Sequence, residues 1–382
     1  MQLNLLSAAT VLRSVGSILL ALLILLLMIT VHEFGHYIAG KIFKFKINEF
    51  AIGFGPALFK KTKKNGEVFS IRAFPLGGYC AFEGETDDED SIDPQTGEST
   101  ASTDPNAFNN KKPWQRIIVL VSGAFMNFLT ALICIAISFS AFGQLLFMTY
   151  EVAPLTSEQQ IEYAGYTFQD RDIILSVEGK DCYLSTDLMK ALKGGKQGDV
   201  YTFEVVRNGE KVMQKIKLRC DAEIGSVTDT ATLFESLGIA QKDGVYQMYS
   251  CKAKFGFFES LGRAFVYAFR IAGSIFTVLG QLLTGVLGIN AMGGPITTIS
   301  LPSKLASQGL LQFLEITAYI GVNLAVFNLL PIPALDGSKV VFTAIEWVRG
   351  KPVNRRIENA LHFAGLILLF GFAILVDLLQ LF

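Results

Sequence analysis

"ITVHEFGHYIAG", residues 29–40, puts two histidines and a glutamate inside an otherwise apolar run. The stretch just before it, "SILLALLILLLM" at 17–28, has no charge at all. Residues 15–39 are together long enough, at ~1.5 Å per residue, to cross a hydrocarbon core of ~30 Å as one helix. An uncompensated charged group at that depth costs at least ~2.5–3.5 kcal/mol even on lenient insertion scales. Positions i and i+4 share a helix face, so His32 and His36 can both address one metal ion, with Glu33 beside them to activate water. The competing reading, two histidines hydrogen-bonded to neighbouring helices, leaves the glutamate without a reason. Taking Lys41 as the membrane edge, the histidines sit roughly 7–14 Å inside.

A catalytic metal of this kind takes three protein ligands and keeps one position open. The chain has only three histidines, and the third, His362, opens the last apolar run, where an interfacial side chain is expected rather than a ligand. Asp336 in "NLLPIPALDGSKV", residues 328–340, is the stronger candidate. Pro331 and Pro333 remove backbone donors and end a helix, and Gly337 permits a tight turn. Irregular backbone at membrane depth survives only where protein buries it or where it lines a polar cavity. A metal-binding carboxylate needs such surroundings.

The rest of the chain supports a membrane protein. Of 382 residues 51% are hydrophobic, and the net charge of −1 leaves no basic stripe for nucleic acid. The five cysteines include no CxxC pair and form no zinc ribbon or disulfide framework, although a bridge between Cys182 and Cys220 stays open. Apolar runs at 15–39, 117–148, 310–330 and 361–382 read as four spans. Lysines and arginines cluster at 41–64, 111–116 and 339–356, and the positive-inside bias assigns all three groups to one, cytoplasmic, side. The second span then exits and the third must enter, so an even number of crossings lies between them. Residues 260–289, interrupted by Arg263, Arg270 and Gln281, are accordingly expected to lie at the interface or re-enter rather than span. The acidic run at 83–104 reads as a solvated linker in preference to a calcium or partner site.

The expected fold is thus an α-helical polytopic membrane protein with four transmembrane helices, a β-hairpin region and one small α+β domain. Its parts are a first membrane section (1–149), the extracytoplasmic domain (150–222), a juxtamembrane strand and amphipathic segment (223–309), and a second membrane section (310–382).

HEFGH in a first span, with Asn328-Leu329-Leu330-Pro331 and Leu335-Asp336-Gly337 in a later one, resembles the site-2 protease family, and most nearly its bacterial regulator-of-sigma-E protease branch. "GFGP" at 53–56, "PLGGY" at 75–79, Asn127 and "GGPI" at 293–296 match as well. One departure is "GAFMN", where Ala124 replaces a common proline and puts a local helix kink in doubt. The resemblance implies zinc-dependent intramembrane proteolysis of single-span membrane proteins, commonly anti-sigma factors and signal-peptide remnants, in the bacterial inner membrane. By position it implies one Zn2+ on His32, His36 and Asp336, catalysis by Glu33, and substrate contact by Asn328. Asn127 reads equally as an interhelical hydrogen bond or a substrate contact.

Two further regions follow. Asn65-Gly66 is a hairpin turn signal, and "EVFSIRAF" after it has Phe69, Ile71 and Ala73 on one face. In the family this region resembles a hairpin that dips into the bilayer, where its edge could pair with an unwound substrate. The segment "IEYAGYTFQDRDIILSVEGKDCYLSTDLMKAL", 161–192, resembles a PDZ domain, with Arg171-Asp172 where Gly-Asp is usual. It would bind peptide termini or obstruct the entrance by bulk. A rival from another class is a non-catalytic membrane scaffold or chaperone acting through that domain; loss of a ligand or of the glutamate would mark it, and none is lost. A zinc transporter would need ionisable residues in several spans, and only one cluster exists.

Overall fold

The computed structural model describes residues 8–85, 102–149, 152–224, 230–239, 241–242, 245–246, 249–286 and 308–381. GGPI and most of the acidic run, 86–101, lie outside the described residues. The chain divides into two compact units, Met1–Ile135 with Ile271–Phe382, and Ala136–Arg270.

The first unit begins with α1 (Ala8–Ile42), which has neither proline nor charge between Val15 and His32. The strands β1 (Ile47–Thr62) and β2 (Val68–Phe82) follow as an antiparallel hairpin, turning at the expected Asn65-Gly66. The hairpin folds on itself: residues 47–52 pair with 82–78, and 49–52 also with 68–71, while 59–62 take the other side of 68–71. Residues 78–82 therefore form one edge, and no further described strand pairs with them. Ile71 faces outward, as do Phe54, Leu58, Phe59 and Phe74. At the other end Phe45, Phe50, Phe82, Phe108, Val119 and Leu120 pack as one core.

Next come α2 (Pro113–Phe142), which continues through Ala124, and, after the second unit, α7 (Leu310–Leu329), α8 (Asp336–Arg349) and α9 (Arg355–Leu381). Ile24 and Met28 of α1 pack against Phe313, Ile316, Ile320 and Leu324 of α7; Met28 lies beside Gly321 and His32 beside Asn328, so residue number rises in the same direction along both helices. Gly321 of α7 lets three helices close up. A Cβ there would stand 2.9 Å from Met28 and 3.0 Å from Ala131 of α2.

The second unit holds β3 (Gln144–Met148), α3 (Ser157–Tyr163), β4 (Ile173–Val177), β5 (Lys180–Asp181), α4 (Ser185–Leu192), β6 (Val200–Arg207), β7 (Glu210–Lys217), α5 (Thr230–Ser236), the two-residue strands β8 (Gln241–Lys242) and β9 (Val245–Tyr246), and β10 (Tyr249–Ala253). Its main sheet runs β10-β3-β4-β6-β7, with β5 on β4. Ile174, Val177, Leu188, Leu192, Phe203, Val205, Leu218, Leu233 and Phe234 form its core. Two readings from sequence change here. The apolar 144–148 does not prolong the second span, because Gly143 takes φ +88° and ends the helix, and the residues after it pair with β4 and β10. The folded unit consequently reaches beyond 150–222 on both sides. Cys182 and Cys220 are both free thiols.

Among the described residues five helices are long and apolar enough to cross a bilayer: α1, α2, α7, α9 and α6 (Phe257–Leu283), which covers most of the stretch expected at the interface.

Candidate metal centre

His32 and His36, one turn apart on α1, are each only 7% exposed. Their Nε2 atoms lie 3.1 Å apart. Asp336, the first residue of α8, brings Oδ2 to 2.9 Å from His32 Nε2 and 3.3 Å from His36 Nε2. Among the described residues these three side chains converge as a group able to hold a metal ion. Donors ~2.0–2.2 Å from a tetrahedral zinc stand about 3.3 Å from one another. The observed triangle is within a few tenths of an ångström of that, and two imidazoles with a carboxylate suit zinc chemically. The residues fit the ion.

The ring nitrogens turned away from the triangle are also committed. His36 Nδ1–H donates to the Val119 carbonyl of α2 at 2.7 Å, which leaves Nε2 as the lone pair. His32 Nδ1 lies 3.4 Å from the side-chain amides of both Asn127 and Asn328. Asn127 is fully buried and its Oδ1 has no partner among the described residues. Amide oxygen and nitrogen are interchangeable assignments. Turned over, Asn127 would accept His32 Nδ1–H and its orphaned oxygen would be satisfied.

Two glycines allow α1 and α2 this approach. A Cβ on Gly35 would stand 2.3 Å from the Ser122 carbonyl oxygen, and one on Gly123 would stand 2.4 Å from His36 Nε2. Sequence reasoning passed over both, because only the pairing of two helices reveals the need for them.

The loop between α7 and α8 delivers Asp336. Pro331 and Pro333 have no N–H, Ile332 N–H donates to Leu330 O at 2.7 Å, and Leu335 N–H donates to Ile332 O at 3.1 Å. The left-handed turn falls on Ala334, at φ +80°, not on Gly337. Gly337 is needed for another reason: a Cβ there would stand 2.2 Å from Leu330 O, so only glycine lets α8 start against the end of α7. His362 is not at the start of a helix but two turns into α9, and its Nδ1 accepts the Ala334 N–H at 3.0 Å.

Glu33 Oε2 accepts the Cys80 N–H at 3.0 Å, so this amide of the edge 78–82 points away from β1 and toward α1. A cavity of about 410 Å³ borders Glu33, His36, Tyr79, Cys80, Asp336 and Lys339. Lys339, one turn beyond Asp336, pairs with Glu85 at 2.7 Å, and that carboxylate holds its ammonium above the usual range. Tyr79 OH donates to Glu49 Oε2 at 2.8 Å, in a network with Ser70 and Arg72.

Of the residues that the sequence assigned to metal and catalysis, Glu33, His36 and Asp336 line this cavity; His32 joins them through its contacts with His36 and Asp336, and Asn328 lies 3.4 Å from His32 Nδ1. The family model described as peptidase family M50 matches residues 20–372. Among curated proteins the chain is 32% identical over 364 residues to one from Fusobacterium nucleatum, covering 94% of this chain and 96% of that one. It is 30% identical over 365 residues to one from Nostoc sp., covering 94% of each, and 29% identical over 367 residues to one from Clostridium perfringens, covering 94% and 97%. All three carry the name "putative zinc metalloprotease".

Proposed function

Because the chain belongs to peptidase family M50 and is a zinc metalloprotease of the site-2 type with membrane-crossing helices, we propose that it cleaves the transmembrane segments of single-span proteins in regulated intramembrane proteolysis. Anti-sigma factors and signal-peptide remnants are the substrate classes, and the bacterial inner membrane is the location. The observation that carries this reading is the meeting of three ligand atoms, a glutamate and the strand edge 78–82 beside α1, a helix of bilayer-spanning length.

In this reading His32, His36 and Asp336 hold the ion. Zinc, when bound, supplies a Lewis acid that polarises the scissile carbonyl and lowers the pKa of water. Glu33 takes the proton of the attacking water and returns it to the leaving amide nitrogen. The Cys80 N–H fixes the carboxylate for that exchange. Asn127 holds His32 through Nδ1, which frees the Asn328 amide to turn to the substrate. An unwound helix in lipid leaves backbone groups that cost several kcal/mol each, and pairing with 78–82 satisfies them. The outward Phe54, Leu58, Phe59, Ile71 and Phe74 are suited to a hairpin dipping into lipid.

Four crossings, by α1, α2, α7 and α9, agree with the parallel run of α1 and α7. His32 of α1 and Asn328 of α7 meet at the metal centre, so the two helices run toward the same side, which favours an even number of crossings between α2 and α7 and an α6 that does not cross alone. Within its first four turns α6 keeps Ser260, Ala264 and Ala268 buried and leaves Phe258, Leu261, Phe265 and Phe269 exposed, the pattern of a helix lying along an interface. The second unit is then extracytoplasmic and PDZ-like, and the active site lies near the cytoplasm.

Two measurements test the proposal. Glu33→Gln preserves size and removes the base, so purified protein should keep stoichiometric zinc while cleavage of a single-span substrate collapses. Undiminished cleavage would overturn the assignment. In a cysteine-free background, cysteines at Lys196 and Gln308 should react with an impermeant thiol reagent in intact cells, and one at Lys351 only after permeabilisation. Protection of Gln308 with labelling of Lys196 would mean that α6 crosses.

A further inference from the structure

The loop that carries Asp336 satisfies its own backbone donors at two of three positions, Ile332 and Leu335; the third, Ala334 N–H, is satisfied from a different helix. Ala334 is also the loop's one non-glycine residue in the left-handed region, a conformation that costs an L-residue ~1–2 kcal/mol. Both burdens fall two residues before the metal-binding carboxylate. The helix that answers them is α9. His362 Nδ1 accepts the Ala334 N–H at 3.0 Å, and Gly365, one turn further along, lies so close that a Cβ would stand 2.5 Å from both Cβ and O of Pro333. The two residues occupy one face of α9 and grip adjacent residues of the loop. Phe342 of α8, at 5.8 Å between ring centroids, backs the imidazole.

We infer that His362 and Gly365 are positioning residues for the third metal ligand, α9 acting as the clamp that keeps the Pro333-Ala334 corner in its left-handed turn so that Asp336 reaches His32 and His36. His362 does not join the ligand group. Since Nδ1 accepts a hydrogen bond, the neutral ring carries its proton on Nε2. That atom is buried without a partner among the described residues, in a side chain bordering a second cavity of about 400 Å³ whose polar lining can host water. Without the Nδ1 acceptor, Ala334 N–H is orphaned at a strained φ, and the corner gains by relaxing, carrying Asp336 with it. Loss of a group that orients a metal ligand lowers metal affinity about 10–100-fold.

The proposal rests on Asp336 being a ligand, so the test separates the two. Purified wild type, Asp336→Ala, His362→Ala, His362→Asn and His362→Gln are compared for zinc affinity against a chromophoric chelator, and for melting temperature and Ala334 amide exchange in metal-free protein. Asn Oδ1 stands where Nδ1 stood and Gln does not reproduce it. His362→Asn should therefore hold zinc within about threefold of wild type, while His362→Ala and His362→Gln fall about 10–100-fold with faster amide exchange. Gly365→Ala should reproduce the loss with His362 intact. Full zinc affinity in Asp336→Ala would overturn the ligand assignment. Loss in Asp336→Ala, with His362→Ala and Gly365→Ala unchanged in affinity and exchange, would overturn the clamp alone. Equal loss in His362→Asn and His362→Gln would overturn the hydrogen bond as its cause. Should His362→Ala fail to fold, the Asn–Gln contrast and Gly365→Ala decide.

Discussion

A single methyl group at Gly123 should disable the metal centre. Gly123→Ala would put a Cβ 2.4 Å from His36 Nε2 and 2.7 Å from His32 Cε1, where carbon contacts need about 3.5 Å. About 1 Å must therefore be found. His36 cannot swing clear without giving up its bond to Val119 O, on the helix that carries the new methyl group, at a net cost of about 0.5–1.5 kcal/mol. Separating the helices sacrifices the contact at Gly35 instead, and overpacking of this kind costs about 1–3 kcal/mol. Zinc affinity should fall about 10–100-fold. The cleavage rate should fall further, because a misplacement of about 1 Å can cost 10²-fold. The assay is chelator competition on purified protein, with fragment analysis and a melting curve alongside. Gly16→Ala and Gly371→Ala are the controls, as nothing lies within 4 Å of either added Cβ. Both should be neutral or stabilising by up to about 1 kcal/mol through helix propensity. Wild-type zinc affinity, cleavage and melting in Gly123→Ala would refute the reasoning.

Other perturbations test the parts around the centre. Arg171, at φ +65°, occupies a conformation that glycine adopts freely, so Arg171→Gly should stabilise the second unit by about 1 kcal/mol, read as a rise in melting temperature. Asp172 is fully buried and Arg207 bonds both its oxygens, at 2.8 and 2.7 Å; Arg207→Ala strands the charge and should cost about 3–5 kcal/mol, whereas Arg207→Ala with Asp172→Asn should recover part of it. Burial alone would push the Glu67 carboxyl up, but hydrogen bonds from Lys41, Lys63, Tyr37 and Asn65 hold it down at about 2. Its folded value lies below its unfolded one, so its contribution is complete above the ordinary 4.5 and disappears as pH falls toward about 2. Glu67→Gln should flatten the stability profile across that window, and an unchanged slope in acid unfolding would count against the network.

The parts of the site legible in sequence were those written in a local code. The i, i+4 spacing of His32 and His36 is a helical period, and the Pro331-to-Gly337 stretch announces a broken helix that can present a carboxylate. Asn65-Gly66 specifies its hairpin by turn chemistry alone. What stayed hidden depends on partners far along the chain. Gly35 and Gly123 look like any glycines until two helices are laid together, and His362 reads as an interfacial residue until α9 is known to begin at Arg355. "QLLFM" is apolar enough for a span, and only the pairing offered by β4 and β10 makes it a strand.

His32 and Asp336 are 304 positions apart in the chain. At a synthesis rate of about 5–20 residues per second, roughly 15–60 s separate the emergence of the histidines from that of the aspartate. Until then the HEFGH helix sits in the bilayer with two ligands, and α9, which steadies the loop, is made later still. A hydrolytic centre split in this way cannot switch itself on halfway through translation. Neighbouring proteins at the insertion machinery, and the growing chain's own apolar segments, are spared during the interval in which they are most exposed. Truncation by a premature stop after α7 would yield an inert stump rather than an unregulated protease.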